Sequence, residues 1–339
     1  MSFIILEHGT RRRLTQYTYT SNLSMMLQES EVTADPHIEQ AAGIIAAARS
    51  SETTADVRAF FDGPTNSVSY VVSDPVTRHA AIVDSLLHFD PASGRTDTAP
   101  ADALVAYVRE QGLTVDWLLE THVHADHLSA AAYLQGLVGG QLAIGRAITR
   151  VQDVFAKIFN AGSEFARDGS DFDRLFDDGD RFAIGNLACI VLHVPGHTPA
   201  DVAFVIGDAA FIGDTLFMPD YGTARADFPG GDAGELFRSI RRLLTLPSET
   251  RLFLCHDYKA PGRGEFLWET TVGAQRAGNV HVRDGIDEET FVAMRTARDA
   301  TLPAPRLMLP SIQVNMRAGK LPKPEANGIR YLRIPLDSF

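Results

Sequence analysis

From Asp56 onward, hydrophobic and polar residues alternate in short, regular blocks. Ser67–Ser73 (SVSYVVS) and His79–Asp84 (HAAIVD) are β-branched runs parted by Asp74-Pro75, a pattern that predicts a hairpin. Ala101–Gln111 (ADALVAYVREQ) spaces its apolar residues by three and four, which predicts a helix, and Gly112 supplies its stop. Trp117–Glu120 then reads as a buried strand, Ser129–Val138 as a second helix and Gln141–Ile144 as a strand. Further strands are expected at Leu187–His193, Val202–Ile206, Ala210–Ile212 and Arg251–Leu254. Helices are expected over Gly234–Leu244 and from Asp287, whose carboxylate suits a cap. Strands and helices intermix with no repeat of fixed period, so the class is a layered α/β domain.

The two ends differ from this. Residues 1–55 are rich in Ser, Thr, Glu and Gln, with only Gly43–Arg49 (GIIAAAR) helical in pattern, and read as a flexible or loosely docked extension. Residues 56–339 are expected to form one domain, whose last stretch, from Leu302, carries six prolines and is expected to be mostly irregular. A chain of 339 residues buries an ample core without disulfides. Cys189 and Cys255 form no CxxC, which points to a reducing cytoplasm. No apolar run approaches the ~20 residues of a membrane helix, and the first residues put the apolar part before the charge, the reverse of a secretory signal. Acidic residues outnumber basic ones by 43 to 31, a net charge of −12, and the one dense basic run is Arg11-Arg12-Arg13. That balance argues against nucleic acid as a partner.

The chemistry concentrates in Glu120–Ser129 (ETHVHADHLS). Residues two apart in an extended segment share a side, so His122 and His124 can face one point. The chain is then expected to turn into a helix that starts with Asp126 and His127. Four ligand-type side chains within six residues at a strand end form a metal-binding arrangement. His197 in Val194–Thr198 (VPGHT), Asp214 in Gly213–Phe217 (GDTLF) and His256 in Leu254–Tyr258 (LCHDY) each follow an expected strand, where a rigid scaffold presents functional groups.

Together, His122-x-His124-x-Asp126-His127, His197, Asp214 and His256 resemble the metallo-β-lactamase superfamily over roughly residues 56–260. The resemblance implies an αββα sandwich, with two mixed sheets face to face, helices on the outer faces and a metal site at one edge. Two branches of that superfamily use nearly this ligand set. Glyoxalase II-like thioester hydrolases hold two Zn(II) per chain. One sits on the positions of His122, His124 and His197, the other on Asp126, His127 and His256, with Asp214 between them. Persulfide dioxygenases hold one Fe(II) per chain on the positions of His122, His197 and Asp214, a facial set suited to O2 chemistry. They oxidise glutathione persulfide, or a similar small thiol persulfide, with O2 to sulfite and thiol.

The flanking text is similar to the second branch: Ala125–Ala130 (ADHLSA), Thr198–Asp201 (TPAD), Arg225–Phe228 (RADF), His256–Tyr258 (HDY), and Asn315–Gly319 (NMRAG) before Leu321–Pro324 (LPKP). Asp220–Pro229 and the C-terminal segment resemble a bacterial subgroup labelled β-lactamase-like hydrolase. Ala226 departs from relatives that carry Cys or Thr, and residues 1–55 match neither branch. In the dioxygenase pattern, His124, Asp126, His127 and His256 become hydrogen-bonded neighbours that orient the ligands. The competing expectation is a dinuclear zinc hydrolase of thioesters or lactones. The resemblance also implies a homodimer, and a rhodanese-type sulfurtransferase in the same pathway.

Arg225 is the expected clamp for a substrate carboxylate, its alternative being an ion pair with Asp220 or Asp227. Tyr258 and Arg317 are further candidates for the same pocket. His193 reads as a strand histidine, Cys189 and Cys255 as small buried hydrophobes, and Phe211, Phe217 and Phe228 as core or pocket wall.

Overall fold

A computed structural model of the chain describes residues 35–51 and 54–337. In chain order its first half forms α1 (Pro36–Ser50), β1 (Asp56–Asp62), β2 (Ser67–Ser73), β3 (His79–Val83), β4 (Leu86–Asp90), β5 (Arg95–Asp97), α2 (Ala99–Glu110), β6 (Thr114–Leu119), β7 (Leu128–Ser129), α3 (Ala131–Val138), β8 (Gln141–Gly145) and α4 (Ile148–Ile158). The second half adds β9 (Arg174–Phe176), β10 (Arg181–Ile184), β11 (Leu187–His193), β12 (Val202–Ile206), β13 (Ala209–Phe211), α5 (Ala233–Leu243), β14 (Arg251–Phe253), β15 (Glu269–Thr271), α6 (Val272–Gly278), α7 (Glu288–Asp299) and α8 (Met308–Asn315). The expected hairpin is β2–β3, and every other strand expected from the sequence is present within a few residues.

Two mixed six-stranded sheets carry the architecture, in the orders β1-β2-β3-β6-β8-β9 and β10-β11-β12-β13-β14-β15. Several central strands, β2, β3, β11 and β12 among them, are buried on both faces, which is why they are so rich in apolar residues. On β2, Val68, Tyr70 and Val72 enter the core between the sheets, while Val71 enters the outer core under the helices. On β11, Cys189 and Val191 face inward, whereas Ile190 and Leu192 face the second outer core. The result is three apolar layers: α2, α3, α4 and α8 on one sheet, the shared interior, and α1, α5 and α7 on the other. This is the αββα sandwich. No described helix is long and apolar enough to cross a membrane.

Strand direction puts the chemistry at one edge. β3 and β6 are parallel, as are β13 and β14, and two antiparallel steps make β11 run with β13. The C-terminal ends of these strands therefore open on the same side in each sheet. The sheets are tied together there: the Tyr70 hydroxyl donates to the Leu254 carbonyl at 2.5 Å, and Val68 N donates to Cys255 O at 2.8 Å.

Two expectations are corrected. The extension expected over residues 1–55 is not loose where it is described, because α1 buries Ile38, Ala41, Ile44 and Ile45 against β11 and β12. Its polar flanks masked this apolar stripe; residues 1–34 lie outside the described residues. The segment after Leu302 is mostly irregular, as expected, but contains α8, whose Ile312 and Val314, with Met316 at its C-cap, join the outer core despite Pro310 in its first turn, a position where the missing N–H costs nothing. Asp126 and His127 do not begin a helix; they lie in the loop before β7, and α3 starts only at Ala131. The helix α4 passed unnoticed, although Ile148, Val151 and Phe155 recur at helical spacing.

Ile45 is fully buried beneath α1. Ile45→Ala should cost about 2–5 kcal/mol in urea unfolding. An unchanged midpoint would show that α1 stands outside the cooperative core.

Candidate metal centre

Each ligand-type side chain sits just past a strand of this edge. His122, His124, Asp126 and His127 follow β6, His197 follows β11, Asp214 follows β13 and His256 follows β14. Two glycines permit the approach. Gly213 has φ of 53°, and a Cβ there would stand 2.6 Å from Thr121 Oγ1, against the loop that carries His122. Gly196 has φ of 141°, and a Cβ there would strike the backbone of Leu236, so the turn bearing His197 closes onto α5 only with glycine.

All seven side chains converge, and six of them are buried, with Asp126 partly exposed. The donor atoms of His122, His197 and Asp214 lie within 4.8 Å of one another, as do those of His124, Asp126 and His127. Asp214 faces two ways. Its Oδ2 lies 3.8 Å from His122 Nε2 and 3.6 Å from His197 Nε2, whereas its Oδ1 lies 3.4 Å from His256 Nε2. His256 Nε2 is also 3.5 Å from Asp126 Oδ2. These gaps are long for hydrogen bonds but close to the ~3.4 Å between two donors on neighbouring corners around an ion bound at ~2.1 Å.

Four atoms make the case for a cation. His122 Nε2, His127 Nε2, His256 Nε2 and Asp214 Oδ1 are buried without a hydrogen-bond partner among the described residues. An unsatisfied buried polar group costs about 1–3 kcal/mol, so four clustered at one point would be unaccountable without a ligand. Burial, with His124 and His197 alongside, pushes the His122 imidazole well below its ordinary range and keeps it neutral, the form that binds metal.

Other groups hold these ligands, and the sequence analysis missed them. Asp84, at φ of 51°, accepts from Thr121 N at 2.8 Å and from Thr121 Oγ1 at 2.9 Å, and stands 3.1 Å from His124 Nε2. Burial alone would lower His124, but the Asp84 carboxylate outweighs it and holds that ring well above its ordinary range. Glu120 Oε2 adds a second carboxylate 3.5 Å from the same nitrogen. Ser67 Oγ donates to Asp126 Oδ2 at 3.0 Å. Asn315, at the end of α8, donates to the carbonyls of His124 and His127 at 2.8 Å each and accepts from Ser129 N at 2.7 Å. A carboxylate ending an apolar strand was the available signal for Asp84, and the NMRAG motif was the one for Asn315, although neither showed what the side chain would hold.

The family model of the metallo-beta-lactamase superfamily matches residues 62–256. The chain belongs to that superfamily. A "probable metallo-hydrolase" of Burkholderia pseudomallei is 59% identical over 293 residues, covering 84% of this chain and 99% of its own. A "beta-lactamase hydrolase-like protein" of Agrobacterium fabrum is 50% identical, covering 97% and 76%. The mitochondrial persulfide dioxygenase ETHE1 of Homo sapiens is 29% identical, covering 78% and 88%. Among solved structures, ETHE1 from Myxococcus xanthus has a TM-score of 0.62 at 28% identity, covering 78% of this chain and all of that one. The superfamily is one of metal-dependent enzymes, and the donor set found here fits that chemistry.

A cavity of about 480 Å³ opens onto this metallo-β-lactamase site, with Asp126, His197 and Asp214 in its lining and Phe217 and Tyr258 as apolar wall. Tyr258 stacks on the ring of His256 at 5.3 Å. Arg225 also reaches the cavity, but its guanidinium grips Asp227 through Nε at 2.5 Å and Nη2 at 2.7 Å, and donates from Nη1 to the Pro303 carbonyl at 2.7 Å. Of the two alternatives, the ion pair with Asp227 is therefore the one formed. The Arg225 carbonyl faces His197 Nδ1 at 2.7 Å and so turns Nε2 toward the centre. Arg317 is not brought to this cavity: it lies over the Phe165 ring at 4.2 Å and lines a separate one. Its NMRAG motif serves instead to place Asn315. Cys189 and Cys255 are buried and unpaired, and His193 ends β11 against the Pro199 carbonyl, as expected.

Two outcomes follow from this geometry. Asp214→Ala removes the side chain that faces His122 and His197 through one oxygen and His256 through the other, and should purify with less than about a tenth of the wild-type metal by elemental analysis; full loading would refute that shared role. His281 Nδ1 accepts from Thr223 N at 3.1 Å, and burial beside Arg295 and Arg298 pushes its pKa down to about 4. A histidine depressed in the folded state contributes stability above its unfolded value near 6.5, lost as pH falls toward 4. Urea unfolding measured across that window should weaken on acidification, and His281→Gln should flatten the slope; an identical slope would assign it to another group.

Proposed function

We propose that the chain is an iron-dependent persulfide dioxygenase, acting on glutathione persulfide or a similar small thiol persulfide. The observation that carries this reading is a two-histidine, one-carboxylate donor set, His122, His197 and Asp214, of which His197 and Asp214 line a cavity large enough for a tripeptide thiol. Fe(II) on those three side chains would supply the redox step with O2 that zinc lacks. In the overall reaction the terminal sulfur is oxidised to sulfite and the carrier thiol is released; O2 supplies two of the sulfite oxygens and water the third. The chain's own groups do the positioning. His197 is aimed by the Arg225 carbonyl, and the loop bearing His122 is fixed by Thr121 on Asp84. Phe217 and Tyr258 wall the floor and limit its water. The sequence motifs ADHLSA, TPAD and RADF, and the likeness to the human persulfide dioxygenase, support the assignment.

A second reading has its own observation. His127 Nε2, His256 Nε2 and Asp214 Oδ1 are left unpaired on the far side of Asp214, where a second ion would sit, as in a dinuclear zinc hydrolase. The Burkholderia relative's name leans the same way.

Protein purified without added metal and assayed aerobically should hold one iron per chain and consume O2 with glutathione persulfide. His122→Ala should lower that uptake more than about a hundredfold. Two zinc ions per chain, with thioester hydrolysis and no O2 uptake, would replace this reading with the second.

A further inference from the structure

Two guanidinium groups at this cavity are unaccounted for. Arg298 and Arg306 line it alongside Arg225 and Arg295, yet both are exposed while the metal-ligand floor is buried. Arg225 is held by Asp227, and Arg295 by Asp299 through Nε at 2.8 Å. Neither the Arg298 nor the Arg306 guanidinium has a hydrogen-bond or ion-pair partner among the described residues, although the charge of Arg306 is felt by the exposed Asp90 carboxylate. In a chain of net charge −12, these two guanidinium groups put positive charge at the rim of a cavity whose lining also holds Asp126 and Asp214.

Their positions are fixed rather than loose. Arg298 lies in the last turn of α7, which is anchored when Asp299 accepts from Ala226 N at 2.9 Å and Arg295 donates to the Thr223 carbonyl at 3.1 Å. The link from Arg298 to Arg306 carries Pro303 and Pro305, which stiffen it, and Arg225 pins it by donating to the Pro303 carbonyl. Arg225 is thus a positioning residue for the rim.

We infer that Arg298 and Arg306 receive the carboxylates of the substrate's thiol carrier, so that anionic carriers are selected over uncharged ones. The inference rests on the persulfide reading for the reacting sulfur but not for the carrier, since guanidinium–carboxylate pairing is indifferent to what happens at the floor.

The test is direct binding to the metal-loaded protein by calorimetry, using glutathione and its diethyl ester, in which both carboxylates are blocked. Wild-type protein should bind the free acid about tenfold or more tightly than the ester. Arg298→Ala and Arg306→Ala should each lose part of that preference, and the double variant all of it; both sites are exposed, so the fold tolerates the changes. No preference in the wild type, or a full preference in the double variant, would overturn the inference. O2 uptake with glutathione persulfide is read separately. Binding that depends on the arginines without any O2 uptake would sink the dioxygenase reading and leave the carboxylate site standing. Uptake without a preference for the free acid would do the reverse.

Discussion

The molecule is organised around an electrostatic demand: five imidazoles and two carboxylates are buried or nearly so at one point, with several of their polar atoms facing nothing but one another. Such an arrangement is costly in a protein interior unless a cation sits among the donors or the fold supplies hydrogen bonds to every remaining lone pair. This chain does the second for the outer atoms, through Asp84, Ser67, Asn315 and the Arg225 carbonyl, and leaves the inner atoms unpaired. Both facts point to a bound ion as the completing element.

Meeting that demand requires rigid supports, and the sandwich provides them. The ligand-bearing loops leave strands whose faces are locked into apolar layers, so the loops begin from fixed points. Even distant elements contribute. The helix α8 reaches from the C-terminal region to hold the His124–Ser129 backbone, and α7 is stapled to the loop beside Arg225. A residue such as Asn315 touches no donor atom, yet it sets where His124 and His127 can lie.

Charge divides the molecule between stability and recognition. The surface is acidic overall, while the rim of the cavity presents unpaired arginines. Paired guanidinium groups nearby are structural: Arg225 is spent on Asp227 and Pro303, and buried Arg295 on Asp299 and Thr223. Sorting arginines by whether a carboxylate already holds them separates those that build the pocket from those left to meet a ligand.

The strands β2, β3, β11 and β12 were legible because they are short, mostly apolar and β-branched runs, whereas the two-sheet sandwich was implied by the family resemblance and the strand order was decided by the fold. The metal ligands were legible because HxHxDH packs four donors into six residues, and the other three follow strands. The helices α1 and α8 were not, since polar flanks and a proline hide apolar stripes that matter only once β11, β12 and β7 offer them a surface. Arg225 and Arg317 show the remaining gap. A guanidinium's charge is written in the sequence, but whether it meets Asp227, the Phe165 ring or open solvent depends on chain segments far apart in number, and only the packed fold brings those together.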